Sequence, residues 1–351
     1  MKKVVVVGTV GIPACYGGFE SLVENLTKLS PENVSYQVFC SEKSYSDKKI
    51  EHNNAKLIYL PLSANGVQSV PYDILSLVKS LFIKPDVTLI LGVSGCVFLP
   101  IYRFFSNSRI ITNIDGLEWK RDKWGKLAKK FLKFSEKIAV RYSDIVIADN
   151  QVIADYVRTE YGVNTMVIAY GGDHVIPLSA PNIEVGDYFF TVCRIEPENN
   201  VEMILEAFSK TSCKLKFVGN WNKSEYGKKL KNTYSVYNNI EIIEPVYDMD
   251  ELYKLRAGCI GYIHGHSAGG TNPSLVEAMH FGKTIFCYDC DFNRHSTDNK
   301  AIFFANSDDL KTCIDDFMLK DITKYTNNEM LDIAKEKYTW DIISKLYQGL
   351  Y

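Results

Sequence analysis

Short apolar runs alternate with amphipathic segments of helical length along the whole chain. In the first half the apolar runs are "KKVVVVG", "SYQVFCS", "AKLIYLP", "VTLILGV", "SRIITNI" and "DIVIADN". In the second half the pattern begins again with "YFFTVCRI", "KLKFVGN", "IEIIEPV", "GCIGYIH", "KTIFCYD" and "AIFFAN". Apolar strands separated by helices form parallel sheets that are covered on both faces. The sequence therefore predicts an α/β protein with two doubly wound, Rossmann-like sheets.

The segment 161–178, "YGVNTMVIAYGGDHVIPL", interrupts this alternation with Gly171, Gly172 and Pro177. The chain has 351 residues, which is enough for two domains of ordinary size. We expect one domain over 1–168 and a second over 169–337. Because ligands of such sheets bind at the carboxyl ends of the strands, two facing sheets would hold a ligand in an interdomain cleft.

Positive and negative side chains are nearly equal in number, which excludes a strong electrostatic field around the whole protein. Lys and Arg number 40 and Asp and Glu number 42, so we predict no nucleic acid partner and only a local affinity for membranes. The start "MKKVVVVGTVGI" predicts a buried strand and not a cleaved leader, because polar and bulky residues follow it. The nine cysteines have no framework spacing, which indicates reduced thiols and a cytoplasmic protein.

The loop after the first strand, "GTVGIPACYGG", has two interpretations. Residues 8–14 imitate a dinucleotide fingerprint with Gly8, Gly11 and Ala14, but Pro13 lacks the N–H group that a phosphate needs there. Gly17-Gly18 stands directly before a predicted helix, where backbone N–H groups can approach an anion. A plain tight loop explains the same glycine pair equally well.

Arg194 ends a predicted strand in "RIEPENN". An arginine at such a strand end can bind a phosphate through two parallel hydrogen bonds. A surface ion pair with Glu196 or Glu198 is the alternative.

The stretch 264–283, "HGHSAGGTNPSLVEAMHFGK", predicts a helix that begins at Pro273 with Asn272 or Thr271 as its cap. We expect free N–H groups at Ser274 and Leu275 and room for an anion beside Gly269-Gly270. Glu277 would lie about one turn inside the helix, where it could accept hydrogen bonds from a diol such as a ribose. A capped helix with an exposed glutamate is the alternative.

Metal and redox sites are not predicted. His264 and His266 have no carboxylate cluster nearby and are expected to line a pocket or a loop. Cys287 and Cys290 form a C-x-x-C without a second pair.

The segment 113–143, "NIDGLEWKRDKWGKLAKKFLKFSEKIAVRYS", predicts a long amphipathic helix. Its apolar stripe consists of Trp124, Leu127, Phe131, Phe134, Ile138 and Tyr142. Its basic flank consists of Lys126, Lys130, Lys133, Lys137 and Arg141. We expect the stripe to pack on its own sheet, and the basic flank either to be solvated or to contact an anionic membrane over 119–141. Asp115, at the end of the preceding strand, could contact a polar substrate.

Four motifs together resemble glycosyltransferase family 4, which has the GT-B fold, and most closely its bacterial rhamnosyltransferase-like branch of surface-polysaccharide synthesis. They are "GIPACYGGFE" at 11–20, "NIDGLEWKRDKWG" at 113–125, "RIEPENN" at 194–200 and "GGTNPSLVEAM" at 269–279. The resemblance implies two facing Rossmann-like domains and a C-terminal helix, within 338–351, that crosses back to the first domain.

The resemblance also implies residue roles. Arg194 matches the arginine that binds the donor diphosphate, and Glu277 matches the second glutamate of the E-x7-E motif, which holds the donor ribose. The first glutamate of that motif falls on Gly269, and a usual lysine falls on Asn199. The expected donor-binding set is Gly17, Gly18, Arg194, Asn199, His266, Gly270, Thr271, Asn272, Ser274 and Glu277. The expected acceptor-side set is Tyr16, Glu118, Lys120 and Arg121, and the expected catalytic residues are Asp115 and Arg194.

The implied activity is retaining transfer of a hexose, with rhamnose from dTDP-rhamnose as the best candidate, to a lipid-linked saccharide in polysaccharide (capsule) biosynthesis. The resemblance implies no cofactor and no metal. Two alternatives stay open. One is an NAD-dependent sugar-nucleotide epimerase or dehydrogenase built on Gly8, Gly11 and Ala14. The other is a non-catalytic nucleotide-sugar-binding partner of an assembly complex, which the glycine at 269 motivates.

Overall fold

The computed structural model describes residues 1–14, 17–120, 124–319 and 328–351, and these form two compact units. Unit 1 comprises Met1–Tyr170 and Trp340–Tyr351, and unit 2 comprises Gly171–Thr339. The units divide the chain within the glycine-containing segment at 161–178. The predicted class, α/β with two doubly wound sheets, is confirmed.

Unit 1 is built on a sheet of eight strands in the order β3-β4-β2-β1-β5-β6-β7-β8. Their bounds are β1 (Lys2–Val7), β2 (Val34–Ser41), β3 (Glu51–His52), β4 (Ala55–Leu60), β5 (Val87–Leu91), β6 (Arg109–Asn113), β7 (Ile145–Ala148) and β8 (Met166–Val167). All neighbours are parallel except β3 and β4. Val4 to Val7 of the central strand are fully buried because helices cover both faces.

The helices of this part of unit 1 are α1 (Gly18–Lys28), α2 (Ser69–Ile83), α3 (Leu99–Phe105), α4 (Lys126–Tyr142) and α5 (Gln151–Tyr161). α2 packs beside α3, and α3 packs beside α4. Since crossovers between parallel strands are right-handed, the connections from β4 through β8 put α2 to α5 on one face of the sheet, opposite α1.

The structure contradicts the expected packing for two residues of the apolar stripe, Leu127 and Phe134, while Phe131, Ile138 and Tyr142 are partly buried. The buried residues of this helix are Leu132, Ser135, Glu136, Ala139 and Val140. The side chains of Leu127 and Phe134 are instead 85% and 57% exposed. Ser135 and Glu136 can be buried because partners satisfy them: the Ser135 hydroxyl donates to the Val93 carbonyl, and Trp119 Nε1 donates to Glu136 Oε2 at 2.9 Å.

Unit 2 is built on a parallel sheet of six strands in the order β11-β10-β9-β12-β13-β14. The strands are β9 (Tyr188–Val192), β10 (Lys214–Val218), β11 (Ile240–Ile243), β12 (Gly261–His264), β13 (Thr284–Tyr288) and β14 (Ile302–Phe304). The helices are α6 (Val201–Ser209), α7 (Glu225–Tyr234), α8 (Met249–Ala257), α9 (Pro273–Met279), α10 (Asp291–Ser296), α11 (Ser307–Leu319) and α12 (Asn328–Lys337). One side of its core is aromatic, with Phe189, Phe286 and Phe317 in mutual edge contacts.

The last helix, α13 (Trp340–Gln348), belongs to unit 1 and packs against α1. Its Tyr347 hydroxyl accepts a hydrogen bond from Asn113 Nδ2 at 2.9 Å, at the carboxyl end of β6. The Tyr36 hydroxyl on β2 donates to the Tyr351 hydroxyl at 2.9 Å. Along the described parts of the chain, no helix combines the length and the apolar character that crossing a bilayer requires.

Candidate functional site

The strand order of unit 2 reverses between β9 and β12, which lie side by side at the centre of the sheet. In open α/β sheets ligands bind outside the carboxyl ends of the strands at such a switch point. The loop after β9 carries Arg194 and Asn199, and the loop after β12 carries His266. The topology therefore brings three of the predicted donor-binding residues to one place.

Asn199 connects the two loops. It is buried, its Nδ2 donates to the Arg194 carbonyl at 2.7 Å, and its Oδ1 lies 2.6 Å from His266 Nδ1. Because Oδ1 can only accept, His266 must carry a proton on Nδ1, which makes Nε2 the acceptor atom of the neutral ring. The asparagine at the position of the usual lysine thus fixes both the backbone of Arg194 and the tautomer of His266.

Gly269 lies against this histidine. Its φ is +108°, and a Cβ atom there would be 3.3 Å from His266 Nε2. A side chain at this position would be strained in its backbone and would crowd the ring. The histidine ring therefore lies beside the position where the resemblance places a glutamate.

The Arg194 side chain is 39% exposed and lies 3.7 Å from Glu196, measured from Nη2 to Oε2. The surface ion pair considered from the sequence is thus present. Such an exposed pair is weak, at about 0 to 1 kcal/mol, so an anionic ligand could replace Glu196 as the partner.

The start of α9 corrects one expectation and agrees with another. Asn272 is the cap, as its Oδ1 accepts from Ser274 N at 3.0 Å and from Ser274 Oγ at 2.8 Å. Leu275 N donates to the Asn272 carbonyl at 3.1 Å. The prediction of free N–H groups at Ser274 and Leu275 was therefore wrong, because the cap itself occupies both donors. Gly270 and Thr271 directly precede this cap. Their role in donor binding stays a prediction.

Glu277 is held by two residues that the sequence did not single out. Arg256 of α8 donates from Nη2 to Oε2, and His174 Nε2 lies 3.5 Å from Oε1. The Arg256 side chain is 4% exposed and that of Glu277 is 16% exposed. Gly172 packs directly on the backbone of α9, since a Cβ atom there would be 2.7 Å from Glu277 N. No local pattern marks Arg256, because the two basic residues of "YKLRAG" are typical of the last turn of an ordinary surface helix.

Burial shifts the pKa of the histidines in unit 2. It lowers the pKa of His174, partly opposed by the nearby Glu277 carboxylate. It lowers the pKa of His264 well below the ordinary value, and the neighbouring His266 adds to the shift. His264 Nε2 is buried and has no hydrogen-bond partner among the residues that the structure describes, which the neutral ring tolerates better than the charged one. These rings are neutral at neutral pH.

In unit 1, backbone N–H groups of the loop after β1 donate hydrogen bonds to side chains of α1. Val10 N donates to Glu20 Oε1 at 2.7 Å, and Ala14 N donates to Glu24 Oε2 at 3.0 Å. Gly8 is required for packing, because a Cβ atom there would be 2.0 Å from the Leu91 carbonyl oxygen on β5. A Cβ atom on Gly17 would be 2.5 Å from Glu20 Oε2, so a carboxylate lies at the start of α1 beside Gly18. Two of the backbone donors of this loop, those of Val10 and Ala14, are therefore already in use.

The other predicted residues of unit 1 surround the carboxyl end of β6. Asp115 has a φ of +61° and its N–H donates to Asn113 Oδ1 at 3.0 Å. Glu118 Oε1 accepts from Trp124 Nε1 at 2.9 Å, and Lys120 Nζ lies 5.5 Å from the centre of the Trp119 ring. Tyr16 and Arg121 lie outside the described residues. Within 1–14, 17–120, 124–319 and 328–351, no group of three or more His, Cys, Asp or Glu is arranged to hold a metal ion.

Comparison with known protein families divides the chain as the structure does. Residues 181–337 match the family model "Glycosyl transferases group 1". Unit 2 is therefore a glycosyltransferase group 1 domain. Residues 1–173 match a domain of unknown function, DUF1972. A search of curated protein sequences gave no significant match.

Several solved structures have the same architecture as this chain over nearly its whole length. Sucrose-phosphate synthase from Thermosynechococcus elongatus has a TM-score of 0.83 at 14% identity, covering 100% of this chain and 98% of that one. HepE from Anabaena in complex with UDP has a TM-score of 0.75 at 14% identity, covering 99% of each chain. HepE in complex with UDP-glucose has a TM-score of 0.74 at 13% identity and the same coverage. The fold is thus the two-domain α/β GT-B-like fold.

Proposed function

We propose that the chain is a glycosyltransferase that moves a sugar from a nucleoside-diphosphate donor to an acceptor hydroxyl, with the donor bound by unit 2. The network of Arg194, Asn199 and His266 at the switch point of the group 1 domain carries this proposal. A cation and a neutral acceptor atom held together at a strand edge suit a diphosphate joined to a sugar.

The donor lies across the carboxyl edge of unit 2 in this proposal. Arg194 binds the diphosphate, the loop of Gly270 and Thr271 lies against it, and Glu277 accepts hydrogen bonds from the ribose hydroxyls. Arg256 supports this role because its ion pair orients the carboxylate. The HepE complexes contain UDP and UDP-glucose, which favours a pyrimidine nucleotide donor. Within that class we propose dTDP-rhamnose, on the resemblance of the four motifs.

The reaction breaks the bond between the sugar C1 and the β-phosphate oxygen and forms a bond between C1 and the acceptor oxygen. The acceptor proton passes to the departing phosphate, and the configuration at C1 is retained. Arg194 lowers the barrier by stabilising the negative charge that develops on the leaving group. We propose that no metal takes part.

The acceptor in this proposal is a lipid-linked saccharide of polysaccharide biosynthesis, handled by unit 1. Asp115 is proposed to contact the sugar or the acceptor, since its strained backbone orientation is held by the bond from its N–H to Asn113. Glu118 and Lys120 follow in the same loop.

One observation weakens each alternative. The epimerase or dehydrogenase hypothesis needs free backbone donors in residues 8–14, but Glu20 and Glu24 accept from Val10 and Ala14. The non-catalytic hypothesis rests on the missing glutamate at 269, and His266 lies there as another polar group.

The test is an assay of dTDP-rhamnose, UDP-sugars and GDP-sugars with a chelator present, reading both transfer and slow donor hydrolysis. We expect turnover with one donor class. Arg194→Ala should lower kcat/KM by roughly a hundredfold, as expected for the loss of one charged contact to the leaving group. Arg158→Ala, which removes an exposed arginine of unit 1, is the matched control and should leave turnover unchanged. Absence of turnover with every donor in the parent protein would contradict the proposal.

A second variant, Glu277→Gln, separates ribose binding from chemistry. It keeps the shape of the side chain and one acceptor oxygen near Arg256, so the fold should persist. We expect KM for the donor to rise with a smaller change in kcat, measured in the same assay. An unchanged KM would remove Glu277 from the proposed site.

A further inference from the structure

A buried side chain of the last helix, α13, contacts the end of β6. Trp340, Ile343 and Tyr347 recur at helical spacing and form part of the buried face of α13. Tyr347 is fully buried, and its hydroxyl lies 2.9 Å from Nδ2 of Asn113, the last residue of β6. Packing alone would be served equally well by phenylalanine, whereas a buried hydroxyl needs a hydrogen-bond partner. The hydroxyl therefore indicates that this contact has a role besides packing.

Asn113 joins this hydroxyl to the backbone of Asp115. The asparagine is buried, and its Oδ1 accepts a hydrogen bond from Asp115 N at 3.0 Å. Because a backbone N–H group can only donate, the amide must present Oδ1 to Asp115, which leaves Nδ2 to face Tyr347. The tyrosine oxygen is the acceptor that favours this orientation of the amide. Without it, the amide could turn over and place its own N–H groups against the N–H group of Asp115.

The backbone of Asp115 adopts a conformation that needs support. Its φ is +61°, in the left-handed region that residues other than glycine rarely adopt. The preceding N–H group, that of Ile114, donates to the Ile147 carbonyl at 3.1 Å, so the sheet fixes the chain up to that point. The bond from Asp115 N to Asn113 continues this restraint into the loop. The direction of the Asp115 carboxylate follows from the backbone that this bond holds.

We propose that Tyr347 and Asn113 are positioning residues that set the direction of the Asp115 carboxylate for glycosyl transfer. Asp115 is partly exposed at the carboxyl end of β6, while the other two residues are buried behind it. A substrate could therefore touch the aspartate but not the pair that holds it. The inference rests on the proposed function, in which Asp115 contacts the sugar or the acceptor. It gives α13 a part in the reaction, although Tyr347 and Asn113 are 234 positions apart in the chain.

The first experiment measures hydrogen exchange of individual backbone amides in the full chain, without substrate. Tyr347→Phe removes the hydroxyl and keeps the ring, so the fold should persist. We expect the Asp115 N–H to exchange at least roughly tenfold faster, while the Ile114 N–H, which is bonded within the sheet, exchanges as in the parent protein. Asn113→Leu removes the acceptor itself and should accelerate exchange at Asp115 at least as much. Tyr347→Phe should add nothing further in that variant.

Tyr36→Phe is the matched control. The Tyr36 hydroxyl donates to the Tyr351 hydroxyl at 2.9 Å, so this variant also removes a buried hydroxyl bond between the C-terminal segment and the sheet. Any loss of stability should therefore resemble that of Tyr347→Phe. Exchange of the Asp115 N–H and turnover should both stay as in the parent protein.

The second experiment measures turnover with the donor that the parent protein accepts among dTDP-rhamnose, UDP-sugars and GDP-sugars. Tyr347→Phe should lower kcat by roughly tenfold, with little change in KM for the donor, because a displaced carboxylate affects the reacting geometry. Asp115→Asn keeps the backbone N–H group and a residue that tolerates positive φ. In that background Tyr347→Phe should lower kcat no further, because the two residues act through one group. A purely structural role of Tyr347 would lower turnover equally in both backgrounds.

Three results would overturn the proposal. They are unchanged exchange of the Asp115 N–H in Tyr347→Phe, unchanged kcat in that variant, and an equal loss of kcat with and without the Asp115→Asn substitution. If the parent protein turns over no donor, the proposed function fails instead. The exchange comparison then decides by itself whether Tyr347 restrains Asp115, so the two failures are distinguishable.

Discussion

The two sheets have the same winding, but the loops at the carboxyl ends of their strands are held by different side chains. In unit 1 the loop after the first strand is held by carboxylates, with Glu20 buried beneath it and Glu24 beside it. In unit 2 the corresponding loops are held by the neutral amide of Asn199 and a histidine, and a cation, Arg194, follows the first strand.

The difference shows that a shared fold does not give both halves the same ligand. An anion approaching the edge of unit 1 would meet the carboxyl oxygens of Glu20 at the start of α1, which already occupy the place beside the helix N-terminus. An anion approaching unit 2 would meet Arg194 and neutral groups. In the proposed function, the preference of unit 2 for a nucleoside diphosphate follows from the side chains that close its loops, and not from the sheet topology.

The largest effect should come from breaking the buried pair in unit 2. Arg256→Leu leaves the Glu277 carboxylate without its main partner, so we expect a loss of about 3 kcal/mol in the free energy of unfolding and a weaker donor complex. Arg103→Leu in unit 1, which breaks a half-exposed pair with Asp144, should cost less than about 1 kcal/mol. Urea unfolding compares the two. Equal losses would mean that Arg256 is no more important than a surface arginine.

A smaller loss is expected on the unit 1 side of the comparison. Glu20→Ala leaves Val10 N–H and the Thr9 hydroxyl without an acceptor in a buried loop, at a cost of about 2 kcal/mol. Glu20→Gln keeps one acceptor oxygen and should cost less. Donor binding by unit 2, measured by titration calorimetry, should be the same in both variants. A change in donor affinity would show that the carboxylate edge takes part in ligand binding after all.

The smallest effect should be a different response of the two units to acid. Burial lowers the pKa of His174, His264 and His280 in the folded chain. As the pH falls below about 6.5, the unfolded chain therefore binds protons at these histidines before the folded chain does. Their contribution to the stability of unit 2 is full above that pH and is lost below it. Burial raises the pKa of Glu20 and Asp73 in unit 1, which gives the opposite sign, stability that is lost as the pH rises.

Hydrogen exchange at about pH 7.5 and about pH 5.5 should therefore show β9 to β14 losing protection relative to β1 to β8. His264→Phe should reduce the difference, because Nε2 of that ring makes no hydrogen bond within the described part of the chain that the substitution would remove. His295→Gln, at an exposed position of α10, is the control and should leave the difference unchanged. Equal protection of both sheets at the lower pH would argue against the histidines as its cause.

The pattern of apolar runs was enough to predict both sheets, because strands covered on two faces need continuous apolar sequence. Local rules also predicted a cap before Pro273, at Asn272 or Thr271, and the structure has it at Asn272. The same rules failed on α4, where apolar periodicity alone could not reveal that Ser135 and Glu136 would find buried partners. They also missed Arg256 and His174, since the partner of each, Glu277, is distant in sequence.

Gly269 has a consequence for protein engineering. Under the proposed function, the simplest change of donor preference would be the single exchange Gly269→Glu, which restores the residue that the resemblance places there. Here the backbone at 269 adopts a φ of +108° that glutamate disfavours, and the neighbouring His266 ring occupies the adjacent space. To give this chain the donor preference of a relative, the whole segment 264–272 and Asn199 would therefore have to be exchanged together.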